Sequence, residues 1–298
     1  MIMEYLFTQL FNGLSLGSIY ALVALGYSMV YGIVKLINFA HGDIIMIGSY
    51  FLYTLLKELK VPLPLALAIP LSIVGCAIVG LLTHKIAYER MLKKNVPRIT
   101  LLITAIGISL FFQNLFQLRY GSSSKTLPPL FNLPTLHLGA IPIDSSTFLT
   151  IIVSVIVMVL LQFLVNKTKI GKSMKATSQD MQAAELMGIN TNKIIAFSFA
   201  IGSALACVGA VLYSNKYPSI RPTMGSMLGL KAFVAAVLGG IGNIPGAMLG
   251  GFILGVTESL TNAYISTAFV DAIVFGILII SLLFKPAGLL GKEVKEKV

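Results

Sequence analysis

The chain has 298 residues, 56% of them hydrophobic and only 11% charged, with a mean hydropathy of +0.90. Soluble domains carry about 25% charged residues, so a soluble enzyme, a nucleic-acid-binding protein and a disordered chain are excluded. The formal net charge of +11 comes from basic residues set between apolar runs, the arrangement by which a polytopic membrane protein fixes its orientation.

The N-terminus, Met1-Ile2-Met3-Glu4, carries an acid where a secretory signal peptide has its basic region, so the first apolar run, residues 5–34, is expected to stay in the mature protein. Asn38, His41, Gly42 and Asp43 are then wedged before a short run at 44–56. Further uncharged runs follow at 61–84, 99–118, 145–166, 194–215 and 232–257, with short ones at 259–270 and 272–284. About 20 apolar residues cross a bilayer, so each long run predicts a spanning helix, and the short ones cross only with flanking residues or as broken helices. Cys76 and Cys207 both lie in apolar runs and are expected to act as small apolar residues, although one disulfide is arithmetically possible.

Basic residues cluster at 85–98 (Lys85, Arg90, Lys93, Lys94, Arg98), at 167–193 (Lys167, Lys169, Lys172, Lys175, Lys193) and in a tail at 285–298 (Lys285, Lys292, Lys295, Lys297). These three regions are expected in the cytoplasm. The polar segment 120–147, rich in proline, belongs outside. Counting back from a cytoplasmic C-terminus gives eight or nine helices and an extracytoplasmic N-terminus, with residues 231–260 crossing either once or as a broken pair. The whole chain, 1–298, reads as one all-α polytopic integral membrane domain.

Irregular backbone is expected at 38–43 and in the glycine-rich stretch 239–246, which holds Gly240, Gly242 and Asn243. At membrane depth such backbone must be buried in protein or face a watery cavity. One break in each half of the chain fits an inverted repeat with the breaks in corresponding positions, as in transporters, and makes Asn38, His41, Gly42, Asp43, Gly240, Gly242 and Asn243 candidates for a translocation path. Asp43 is either functional, as intramembrane charges usually are, or a helix-opening carboxylate. Glu258 and Asp271 are expected at solvated turn positions, and Lys231 near the external face with its amine at the interface. Gly246, Gly250, Gly251 and Gly255 form overlapping small-residue patterns for close helix packing.

In the 167–193 segment, Thr177 and Asp180 are spaced as a capping box. Met181, Ala184, Leu186 and Met187 follow as a short apolar face, and Gly188 is placed to end a helix. That face packs either on its own bundle or in a partner's groove. Residues 166–173 nearly match a phosphate-binding loop, but Asn166 stands where its first glycine is required, so no ATP site is expected. His41, His84 and His137 lack metal-ligand spacing.

Gln182-Ala183-Ala184 followed by Gly188 resembles the cytoplasmic E-A-A-x-x-x-G loop of ABC importer permeases, with Gln in place of the usual Glu. Asn12-Gly13-Leu14, Ser18-Ile19-Tyr20-Ala21-Leu22, Gly26-Tyr27, Tyr31-Gly32, the stretch 37–42, and the stretches 231–233 and 236–247 resemble Liv-type permeases, the membrane subunits of branched-chain amino-acid importers. The resemblance implies an H-type permease paired with a related M-type permease, two ATP-binding ATPase subunits and an extracytoplasmic substrate-binding protein. ATP would be held by the partners and no cofactor by this chain. It also implies that Met181, Gln182, Ala183, Ala184, Leu186, Met187 and Gly188 dock into an ATPase cleft. Importers of urea, amides or other amino acids share these motifs. A self-sufficient secondary transporter, with His41 and Asp43 relaying protons, is the alternative from another class.

Overall fold

The structure of the protein, a computed structural model, describes residues 2–94, 96–131, 134, 136–138 and 141–291. The uncharged runs fold mainly as helices, because a backbone without water must close its hydrogen bonds within the segment. They are α1 (Ile2–Val34), α2 (His41–Tyr53), α3 (Leu65–Thr83), α4 (Glu89–Lys93), α5 (Arg98–Tyr120), α6 (Ser145–Lys167), α7 (Lys169–Gln179), α8 (Met181–Leu186), α9 (Thr191–Lys216), α10 (Met224–Gly239), α11 (Ile244–Tyr264) and α12 (Val270–Phe284). A π-turn at Thr54–Glu58 lengthens α2, and another at His84–Tyr88 carries α3 into α4. Two antiparallel ladders accompany them: β1 (Lys125–Thr126) with β4 (Ser219–Ile220), and β2 (Leu136–Leu138) with β3 (Ile141–Ile143). Among the described residues, seven helical segments are long and apolar enough to cross a bilayer, and α10 is a shorter apolar helix. Together with the short α2, these fit the expected count of eight or nine.

At the centre lie α1 and α9. Every residue from 15 to 30 of α1 is buried, which is why its sequence has no apolar stripe; a helix covered on all sides needs none. Around this pair the contacts are reciprocal. α1 lies along α11 as α9 lies along α3, and α2 lies along α9 as α10 lies along α1. Ser49 and Ser214 join α2 to α9 at 2.9 Å. α2 and α10 cross at Gly42, where a methyl group would come within 2.6 Å of the Gly225 carbonyl. The bundle is therefore an inverted repeat of α1–α2–α3 and α9–α10–α11.

That repeat corrects one expectation. The break before α2 corresponds to residues 217–223 before α10, and the Gly240–Asn243 link corresponds to the α2–α3 connection. The two polar breaks are not equivalent, because one precedes a short helix and the other follows one. Residues 231–260 are a broken pair: α10 and α11 form an antiparallel hairpin in which Gly250 meets the Ala235 carbonyl. Gly240 and Gly242, with φ of +108° and +89°, make the reversal in a region that disfavours side chains.

The three basic regions share one end of the bundle. Asn192 donates to Glu89 at 2.9 Å, and α7 and residues 286–291 line a common cavity; Lys292, Lys295 and Lys297 lie outside the described residues. At the opposite end, Lys57 donates to the Thr126 carbonyl at 2.8 Å and Thr147 to Asn12 at 3.4 Å. The described residues of the 120–147 segment therefore lie across the bundle from the basic end.

Asp271 is exposed, as expected, but Glu258 and Lys231 are not where solvation places them. α11 continues past Glu258 to Tyr264, and the turn that follows spans residues 265–269. Lys231 is buried in α10, with its Nζ 2.8 Å from Glu258 and 3.0 Å from Asp271, and Tyr20 donates to Glu258 at 2.9 Å. Three helices supply the acids and the base: Lys231 and Glu258 neutralise one another within the bundle, and Asp271 closes on the same amine from an exposed position. Cys76 and Cys207 are free and buried.

Candidate functional site

At the basic end, α7 runs through Thr177, whose hydroxyl donates back to the Ser173 carbonyl at 2.8 Å. The expected capping box is thus displaced, because α7 extends to Gln179. Asp180 breaks it with extended backbone, then caps α8 by accepting from the Ala183 amide at 3.0 Å. Gly188, with a φ of +82°, ends the turn as expected. Thr191 donates to Glu185 and ties α8 to the start of α9.

The apolar positions of α8 divide. Ala184 is 4% exposed and packs on the chain itself, and Met181 is half-buried. Leu186 and Met187 are 90% and 83% exposed, alongside exposed Gln182 and Ala183. The outward face is therefore Gln182, Ala183, Leu186 and Met187, with Gly188 beyond it. Two large apolar side chains thus stand bare at the charged end, beside the turn that Gly188 closes.

The first break is buried. Tyr88 donates to Asn38 at 3.0 Å, and His41 lies 4.7 Å from the Tyr27 ring between Gly26 and Gly202, its Nε2 without a partner. Asp43, on the first turn of α2, is fully buried. Its Oδ1 accepts from Gln113 Nε2 at 3.1 Å and its Oδ2 has no partner. The same Gln113 nitrogen reaches Ser109 Oγ at 3.0 Å and Ser226 Oγ at 2.9 Å.

The second break lies elsewhere. Gly242 packs on Gly32 and donates to Ser28 Oγ at 3.3 Å; Asn243 donates to the Leu290 carbonyl at 2.6 Å. Gly242 and Asn243 border a cavity of about 700 Å³ with Tyr31, Lys35, Gln162 and Lys175 at the basic end. Asn38, His41, Gly42 and Asp43 thus form one group, and Gly240, Gly242 and Asn243 another. Sequence reasoning missed Ser109, Gln113 and Ser226. Their signal was Gln113, Asn114 and Gln117 in an otherwise apolar run, amides that a lipid-facing helix avoids.

Comparison with known proteins agrees with this architecture. The family described as "Branched-chain amino acid transport system / permease component" matches residues 9–283. The chain is 42% identical over 305 residues to the high-affinity branched-chain amino acid transport system permease protein LivH of Salmonella typhimurium, covering 99% of this chain and 98% of the relative. It is 43% identical over 300 residues to BraD of Pseudomonas aeruginosa, a permease protein of the same description, covering 97% of each. The autoinducer 2 import system permease protein LsrC of Yersinia enterocolitica is 33% identical over 111 residues, 35% of this chain and 31% of the relative. No solved structure matches.

Proposed function

This chain belongs to the branched-chain amino acid transport system permease family, and from that premise we propose that it carries leucine, isoleucine and valine as half of an ABC importer's translocation path. A related M-type permease completes the path, two ATPase subunits drive it, and an extracytoplasmic binding protein delivers the substrate. The basic end faces the cytoplasm and the N-terminus faces outward. ATP is bound by the partners, and the chain itself holds no cofactor.

The observation that carries this reading, beyond full-length similarity, is the bare Leu186–Met187 pair on α8. Met181, Gln182, Ala183, Ala184, Leu186, Met187 and Gly188 make up the coupling segment. Gln182, Ala183, Leu186 and Met187 touch the ATPase, while Met181 and Ala184 seat the helix on the permease. Closure of the ATPases moves α8, and Thr191 passes that movement to α9.

The test is uptake of labelled leucine into proteoliposomes by the full assembly and by this subunit alone, against isoleucine, valine, urea and short amides as competitors. ATP-dependent uptake by the assembly only, displaced by isoleucine and valine, is the expected result. Uptake by the lone subunit without ATP would establish a secondary transporter instead. Displacement by urea or amides alone would move the substrate elsewhere in the family.

A further inference from the structure

The Gln113 side chain is bonded in a way its chemistry does not complete. A carboxamide nitrogen carries two hydrogens, yet Nε2 has three acceptors: Asp43 Oδ1 at 3.1 Å, Ser109 Oγ at 3.0 Å and Ser226 Oγ at 2.9 Å. A primary ammonium carries three hydrogens and a positive charge, and it satisfies all three acceptors.

Charge points the same way. Asp43 is fully buried, and among the described residues no cationic side chain pairs with it. An ionised carboxylate out of water is costly unless a cation or several donors meet it, and Asp43 Oδ2 has none. Lys231, in α10, is already held by Glu258 and Asp271.

The position is reachable. Ser226 is exposed, and so are Asn114 and Gln117 on α5 and Met227 on α10. Amides on a spanning helix call for protein or water rather than lipid, so this exposed α5–α10 face is suited to lining a path. Met227, beside Ser226, offers apolar contact to a branched side chain.

We propose that Asp43, Ser109 and Ser226 form a station for a primary ammonium group, the α-ammonium of the carried amino acid, at the place where the Gln113 amide nitrogen now stands. Gln113 swings aside as the ammonium arrives and reseals Asp43 as it leaves. The inference rests on the importer reading above and adds the residues that grip the substrate inside the membrane.

The test uses the full assembly in proteoliposomes, measuring leucine uptake and ATP hydrolysis stimulated by the binding protein. Gln113→Lys tethers an ammonium among the three acceptors; it should cut uptake at least tenfold while stimulated hydrolysis stays within twofold. Gln113→Met, of similar length but without charge, should retain more than a third of wild-type uptake. Ser226→Ala, at an exposed position, should lower uptake two- to fivefold with assembly unchanged. Wild-type uptake by Gln113→Lys, or equal loss in Gln113→Met, would overturn the proposal. So would a loss in Gln113→Lys matched by lost assembly while Ser226→Ala transports normally. Wild-type assembly without ATP-driven uptake would count against the importer reading itself, which separates the two failures.

Discussion

Lys231 and Glu258 meet at 2.8 Å across the α10–α11 hairpin, both largely shielded, with Asp271 of α12 closing on the same amine at 3.0 Å. The hairpin and the last membrane helix are thereby joined by charge where their packing surfaces are small.

Removing only the base should be far worse than removing the pair. Lys231→Ala strands Glu258 in the bundle, and breaking a buried pair from one side costs about 3–5 kcal/mol. Lys231→Met combined with Glu258→Leu removes the uncompensated charge and should recover most of that loss. Thermal unfolding of the purified protein in detergent checks the order: the single variant lowest, the double variant near wild type.

The two faces of α8 should separate docking from folding. Leu186→Glu and Met187→Glu alter side chains that are 90% and 83% exposed in this chain, so they should leave expression and melting unchanged. Burying a carboxylate in a partner's cleft weakens association by several kcal/mol, with tenfold lost per roughly 1.4 kcal/mol, so ATPase co-purification should fall by orders of magnitude. Ala184→Glu should instead destabilise the permease. If Leu186→Glu keeps its ATPases, the docking face lies elsewhere.

Sidedness can be read with cysteines. Cys76 and Cys207 are buried, so an impermeant thiol reagent applied from outside should find little background. Both Ser123 and Lys172 are exposed, at opposite ends of the bundle. Ser123→Cys should label in intact cells and Lys172→Cys only after the membrane is opened; the opposite result would invert the topology.

The α1–α11 seam should tolerate nothing larger than glycine at its tightest contact. A methyl group at Gly255 would stand 2.1 Å from the Gly17 amide nitrogen, whereas one at Gly276 meets nothing within 4 Å. Gly255→Val should cost about 3 kcal/mol through overpacking and reduce monodisperse yield. Gly276→Ala should stay within about 0.5 kcal/mol. Size-exclusion profiles and melting curves distinguish them.

Helix positions were legible because the bilayer imposes a length on uncharged runs, and the 240–243 reversal because only glycines suit its backbone. Partners across the fold were not. Lys231 reads as an interfacial lysine until Glu258 and Asp271 are brought to it from two other helices. Thr177 and Asp180 fit a capping box by spacing alone, but α7 continued to Gln179 and left the cap to Asp180. Ala184 and Leu186 look alike in an apolar pattern; only the fold decides that one turns inward and the other out. Gln113 was passed over because its run was scanned for charge, and its contact with Asp43 lies 70 residues away.

The seam between α1 and α11 also sets a schedule for biosynthesis. Gly13 and Gly17 meet their counterparts on α11 only after the chain between them has been made, and at about 5–20 residues per second that is a delay of at least ten seconds. Throughout it, α1 waits in lipid or against the translocation machinery with Gly13, Gly17 and Ala21 uncovered by α11. A nascent chain stalled before Ile244 leaves that groove permanently open. Such a chain displays a small-residue stripe that the finished protein never shows, a mark by which membrane quality control can tell it from the completed subunit.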